Sequence, residues 1–181
     1  MENYRGFEDL LGQELTNKEA KNRIVELLLQ AYADEWIAGY YYMLTAELLQ
    51  GPLSEVLGEE FRREASEEIT VHARRIAERL QELGAEPPRD FREIWNLSGC
   101  KYPQLPTDPY DVDGFIIAAV RAEMCAIEAY KKLYMVSRDA DPVTEELVED
   151  LLRDEVAHKT KMLNLLSAEG VQRLKKSLEE E

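Results

Sequence analysis

The chain has 181 residues and two histidines, and each histidine stands a short step after a glutamate. Glu155-Val156-Ala157-His158 spaces the two by three positions, and Glu68-Ile69-Thr70-Val71-His72 spaces them by four. Residues three or four apart share one face of an α-helix, so each pair can reach a common point. Two more glutamates complete the set: Glu35 in Ala33-Asp34-Glu35-Trp36, and Glu123 in Arg121-Ala122-Glu123-Met124-Cys125. Taken singly, a helical Glu or His is ordinarily solvated or packed. Together, four carboxylates and two imidazoles can share two divalent cations and leave positions open for a small oxidant. A structural zinc would instead ask for a closed tetrahedron of Cys and His.

The elements that must position these side chains are helices. Apolar residues recur at three- and four-residue spacing through segments rich in Ala, Leu, Glu, Lys and Arg, and strand signals are nearly absent. A first helix is predicted from after Thr16, which can cap it with Glu19 three residues on, to about Gln50, where Gly51-Pro52 stops it. A second covers about Leu53 to Leu83 and ends at Gly84. Phe91 to Leu97 reads as a short connecting helix, followed by a loop through Cys100, Pro103, Pro106 and Pro109. A third runs from about Asp111 to Arg138, and a fourth from Pro142 to about Leu166. Two tight hairpins joined by a crossover of about 27 residues is the layout of a ferritin-like four-helix bundle, an all-α fold. With no linker stretch, residues 1–181 read as one domain, with a core bundle at about 17–167 and a charged, weakly amphipathic tail at 168–181.

Helix rise makes the ligand set testable. Glu35 and Glu68 are equidistant from the Gly51–Pro52 break, and Glu123 and Glu155 are equidistant from Asp139. At about 1.5 Å per residue, each hairpin therefore brings two glutamates to one height near its middle. The four-residue step from Glu68 to His72 is one longer than the usual pattern, which predicts either a π-bulge in the second helix or a different approach of Glu68 to its metal. Glu64 and Glu67 are fallback ligands. Tyr42 and Tyr130 each lie seven residues after a proposed ligand, on the same face, where they either hydrogen-bond to carboxylates behind the ligands or serve as ordinary core aromatics. Cys125 points about 160° away from Glu123 and is no metal ligand. Cys100 and Cys125 are too few for a disulfide scaffold; they either pair reversibly in a redox role or stand as separate buried thiols.

Net charge of −15 argues against a nucleic-acid partner, which requires clustered Lys and Arg, and suits either the concentration of cations or the solvation of helices. No apolar run approaches the ~18 residues needed to cross a bilayer, and the N-terminal residues lack a basic segment followed by an apolar core. A cytoplasmic location is the expectation.

The segments Ala33-Asp34-Glu35-Trp36, Tyr40-Tyr41-Tyr42, Glu68 to His72, Leu97-Ser98-Gly99-Cys100, Ala122 to Ile127 and Glu155 to His158 resemble the Dps-like ferritins, also called thioferritins, over most of the chain. In that family the second helix likewise separates Glu from His by four residues, and a cysteine pair stands near a bacterioferritin-like di-iron site. The resemblance implies a ferroxidase, in a homo-oligomeric cage of twelve subunits, that oxidises Fe(II) with peroxide or dioxygen and stores the mineral. The short terminal extensions and the C-terminal tail depart from it. On this reading the catalytic and metal-binding residues are Glu35, Glu68, His72, Glu123, Glu155 and His158, holding two iron ions, with manganese as the other candidate. The alternatives are a di-iron or di-manganese peroxidase or catalase that stores nothing, and a metal-free helical interaction module. A rubrerythrin is disfavoured because no rubredoxin-type Cys-x-x-Cys pair is present.

Overall fold

In the computed structural model, residues 18–100 and 103–180 are described, and all their regular structure is helical. Thr16 and its cap lie outside them. Helix α1 spans Lys18–Leu48 and buries Ile24, Leu28, Ala31, Glu35 and Tyr42, a stripe with helical period. The chain reverses through Gly51, whose φ of 106° suits glycine. It then rises along a second rod made of α2 (Ser54–Glu67), a π turn (Glu68–His72) and α3 (Ala73–Glu82). The rod passes so near α1 that a methyl group on Gly39 would meet Ile69 Cγ1 at 2.6 Å.

Gly84 (φ 77°) ends that rod, and the crossover carries the short helix α4 (Phe91–Leu97), whose first amides are capped by Asp90. Helix α5 (Val112–Ser137) begins at the cap Asp111 and α6 (Pro142–Leu165) at the cap Asp141, with proline in its first turn. Asp141 also receives the buried guanidinium of Arg79 at 2.7 and 2.9 Å, which ties the end of α3 to the turn between α5 and α6. The π turn realises one of the two outcomes allowed by the Glu68–His72 spacing.

The tail departs from the sequence reading. Ala168–Glu179 forms a helix, α7, capped by Ser167; it buries Leu174 and docks on the start of α5 through a bidentate Arg173–Asp111 pair at 2.7 and 2.8 Å. The cap at Ser167 was the available signal for it.

Two large apolar clusters fill the ends of the bundle, and a small third one, Ala33, Ile37 and Ile94, packs α4 on α1. Of the two large ones, the first joins Ile24, Leu28, Ile76, Leu80, Leu133 and Leu151, and the second joins Tyr42, Phe61, Phe115, Ile116, Val120 and Met162. All six proposed ligands lie in sequence between these clusters on their own rods, so a polar layer crosses the middle of the bundle. Burial of about 25 cal/mol per Å² of apolar surface on either side holds that layer in place.

Candidate dinuclear metal centre

The structure brings together every ligand that the sequence predicts. Glu35 from α1, Glu68 and His72 from the π turn, Glu123 from α5, and Glu155 and His158 from α6 are all buried. They form two overlapping groups, Glu35–Glu68–His72–Glu155 and Glu68–Glu123–Glu155–His158, with the donor atoms of each group within 4.8 Å of one another. Glu68 and Glu155 belong to both. Each group thus offers one glutamate and one histidine of its own, and the two shared carboxylates stand between.

Both imidazoles turn Nδ1 inward. His72 Nδ1 lies 2.9 Å from Glu68 Oε2, 3.1 Å from Glu155 Oε1 and 3.4 Å from Glu35 Oε2. His158 Nδ1 lies 3.3 Å from Glu155 Oε2 and 3.6 Å from Glu68 Oε1. The rings are 5.8 Å apart and nearly parallel. The tyrosines reach directly to ligands rather than to carboxylates behind them: Tyr42 on α1 donates to Glu123 Oε1, and Tyr130 on α5 donates to Glu35 Oε1. The exchange is reciprocal, each of the two helices orienting the other's glutamate.

Protons and imidazolium charge offset the four carboxylates. Burial, then the negative charges of Glu68 and Glu155, raise the Glu35 carboxyl well above its ordinary range, and burial with the same two neighbours does so for Glu123. Burial opposes charging His158, but hydrogen bonds to Glu155 and Glu68 outweigh it and push the ring up to about 12. His72 is raised in the same way by Glu155, Glu35 and Glu68. Burial would raise Glu68 as well, yet hydrogen bonds from the two imidazoles hold it below the usual carboxylate range. Glu155 Oε1 is buried and makes no well-formed hydrogen bond. Four buried carboxylates with an orphaned oxygen, facing two imidazole Nδ1 atoms, fit a pair of divalent cations.

The ferritin-like domain matches residues 25–169, most of the chain. The chain belongs to the ferritin-like family. A DNA protection during starvation protein of Pyrococcus furiosus is 30% identical over 145 residues, which cover 80% of this chain and 77% of that protein. Among solved structures, the dodecameric thioferritin of Bacteroides fragilis superposes with a TM-score of 0.75 at 29% identity, covering 87% of this chain and 90% of that one. Dps from Thermosynechococcus elongatus shares the fold at 19% identity, with a TM-score of 0.76 over 82% and 93% of the two chains.

Within this ferritin-like bundle, Cys100 and Cys125 form a disulfide with their Cα atoms 5.7 Å apart, so they do not stand as separate thiols. Cys100 lines a cavity of about 20 Å³ together with Asp34, Glu35, Tyr42, Glu68 and Glu123, which puts the bridge at the rim of the centre. Asp34 Oδ1 accepts from the Cys100 amide at 2.8 Å and the Ser98 hydroxyl at 2.6 Å, fixing the crossover against α1. Sequence reasoning gave Asp34 no role, because its partners arrive 64 and 66 positions later.

The fallback ligands do not enter the centre. Glu64 is fully buried behind His158, 3.1 Å from its Nε2, and receives Lys161 Nζ at 2.5 Å. Burial, tempered by the His158 charge, raises its carboxyl to about 7. Glu67 stands on the same outer side, 3.6 Å from His158 Nε2. Among the described residues no helix is long and apolar enough to cross a membrane.

Proposed function

We propose that the chain is a ferroxidase that binds two Fe(II) ions as substrate between Glu35, Glu68, His72, Glu123, Glu155 and His158, oxidises them with hydrogen peroxide or dioxygen, and passes Fe(III) to a mineral stored in a homo-oligomeric cage. Membership of the ferritin-like family supports iron binding and ferroxidase-type chemistry in general. The observation that carries the reading is the pair of overlapping carboxylate–imidazole groups sharing Glu68 and Glu155, because it offers places for two ions rather than one. Two ions matter because each Fe(II) yields one electron and peroxide needs two to become water.

The residues do the rest. Shared carboxylates hold the ions side by side, and the tyrosine hydroxyls keep Glu35 and Glu123 turned inward. The apolar clusters above and below limit water. The protons displaced from the imidazoles and from Glu35 and Glu123 leave as the cations enter. The Bacteroides fragilis thioferritin is described as dodecameric, and a cage of twelve is the assembly we propose here. The Pyrococcus furiosus relative is named for DNA protection. With a net charge of −15, this chain would protect DNA by removing iron and oxidant rather than by binding it. The half-buried Cys100–Cys125 pair lies beside the centre, and in its reduced dithiol form it would give two electrons and two protons to hydrogen peroxide, closing to the disulfide as two waters form.

The test is the initial rate of Fe(II) oxidation in E35A/E123A, with helical content checked by circular dichroism. We expect fast oxidation to vanish with helicity retained; unchanged kinetics would reject these ligands. Iron loading followed by mass measurement separates storage from a non-storing peroxidase: a cage retaining many irons per subunit supports storage, and a small oligomer holding two metals rejects it.

A further inference from the structure

Two links tie Cys100 to the bundle. One is the bridge to Cys125 on α5, and the other is the hydrogen bond that its amide donates to Asp34 Oδ1 on α1, at 2.8 Å. The same oxygen accepts from the Ser98 hydroxyl at 2.6 Å. Upstream, Ile94 of α4 packs on Ala33 and Ile37, but that helix ends at Leu97 and leaves Ser98–Cys100 beyond its support. Among the described residues, Asp34 is the one group on the four rods to which Ser98–Cys100 hydrogen-bonds. Asp34 is itself 6% exposed, and its second oxygen, Oδ2, is buried without a hydrogen-bond partner. Burying a carboxylate with one oxygen unsatisfied is costly, and docking an apolar helix such as α4 does not require it. Cys125 is held by α5, so once the bridge opens the position of Cys100 decides whether the two sulfurs meet again.

We infer that Asp34 is a positioning residue for the cysteine pair: with the bridge reduced, its two hydrogen bonds keep the Cys100 thiol beside Cys125, so that the bridge recloses before either sulfur reacts elsewhere. This rests on the dithiol role in the reading above. Without the anchor, the opened segment gains conformations that closure must remove again. With it, that freedom is already lost in the reduced protein, and the effective concentration of one thiol at the other stays high. Asp34 acts here as an acceptor for an amide and a hydroxyl, so a carbonyl oxygen in its place serves as well. Its neighbour in sequence is Glu35, and the anchor therefore holds the pair against the turn of α1 that supplies a ligand.

Closure by oxidised glutathione is the probe. One protein thiolate attacks the glutathione disulfide and releases one glutathione, and the other attacks the mixed disulfide and releases the second. Two protein thiols thereby lose two electrons and two protons, and two glutathione thiols gain them. The equilibrium constant of that exchange measures the effective concentration of the pair. It is read in full-length, metal-free protein equilibrated with mixtures of reduced and oxidised glutathione, quenched by alkylation and weighed by mass spectrometry. D34A should lower it about tenfold, with mixed disulfide accumulating, while D34N, which keeps a carbonyl oxygen, stays within about twofold of wild type. S98A, which leaves α1 untouched, should lower it about threefold. An unmoved constant in D34A with helicity intact, or a D34N that falls as far as D34A, overturns the inference; should D34A lose its helices, an unmoved S98A overturns it. Hydrogen peroxide reports separately on the dithiol reading: reduced wild-type protein should consume one peroxide per bridge formed, and no consumption would reject that reading whatever glutathione shows for Asp34.

Discussion

Viewed from the shared carboxylates Glu68 and Glu155, the His72 side and the His158 side begin as near copies. Each has a private glutamate, an inward Nδ1 and a tyrosine reaching across from the opposite helix. Behind the rings the copies part. His158 is backed by the fully buried Glu64 with its lysine and by the partly exposed Glu67, and His72 by the partly exposed Asp154, which meets no Lys or Arg among the described residues. The proposed pair of divalent ions calls for equivalent inner ligands, whereas the groups behind the rings set how each imidazole is held and what charge it faces. On that proposal the likeness is set by the chemistry of the pair, and the difference by what backs each ring.

The likeness can be broken at its hinge. Replacing Glu68 or Glu155 by Ala removes a ligand from both positions at once, and iron oxidation should fall by more than about 100-fold in either variant, read from initial rates. If one substitution is mild, the carboxylates are not shared equally.

Acid should act on both sides together. Cation binding must displace protons from the two imidazoles and from Glu35 and Glu123, so apparent affinity should fall by up to about 10-fold per pH unit for each proton released as pH is lowered, measured by calorimetry in buffers of different ionisation enthalpy. The stability of the metal-free protein runs the opposite way. His158 is raised from 6.5 to about 12, so its contribution is complete below about pH 6.5 and is lost as pH climbs toward 12. The gap in Tm between cation-loaded and cation-free protein should accordingly widen with rising pH.

Y42F and Y130F test whether the copies are equal. Each should cost about 10-fold in cation affinity, and to the same extent; an imbalance measured by titration would show that one glutamate depends on its tyrosine more than the other. The smallest effect expected sharpens the difference between flanks. E64Q disturbs a buried contact with Lys161 and His158 and should cost about 1–3 kcal/mol in a denaturant titration of the metal-free protein. D154N, on the open flank, should stay within about 0.5 kcal/mol.

Much of this was legible in the sequence for a geometric reason. Equal distances from a helix break translate directly into equal heights, so Glu35, Glu68, Glu123 and Glu155 could be matched without knowing how the helices pack. The extra residue between Glu68 and His72 allowed the π turn as one of two outcomes, and the structure chose it. Rotation about a rod and long-range partners were not legible. Glu64, one helical turn before Glu68, belongs behind His158 because of how α2 faces α6. Asp34 meets Cys100 only once the crossover has folded back, and Tyr42 and Tyr130 lie on the expected face but choose ligands on the opposite helix. Helix α7 was missed because its apolar side is as narrow as Leu174 and a few neighbours, too little to stand out amid its charges.

Gly39 bears on all of this at a distance. It sits one helical turn beyond Glu35, where the absent side chain lets Ile69 of the π turn nest against the backbone. That fit acts as a notch fixing how far α1 can slide or roll along its neighbour, so the reach of Glu35 into the centre is calibrated by a missing methyl group rather than by any charged residue.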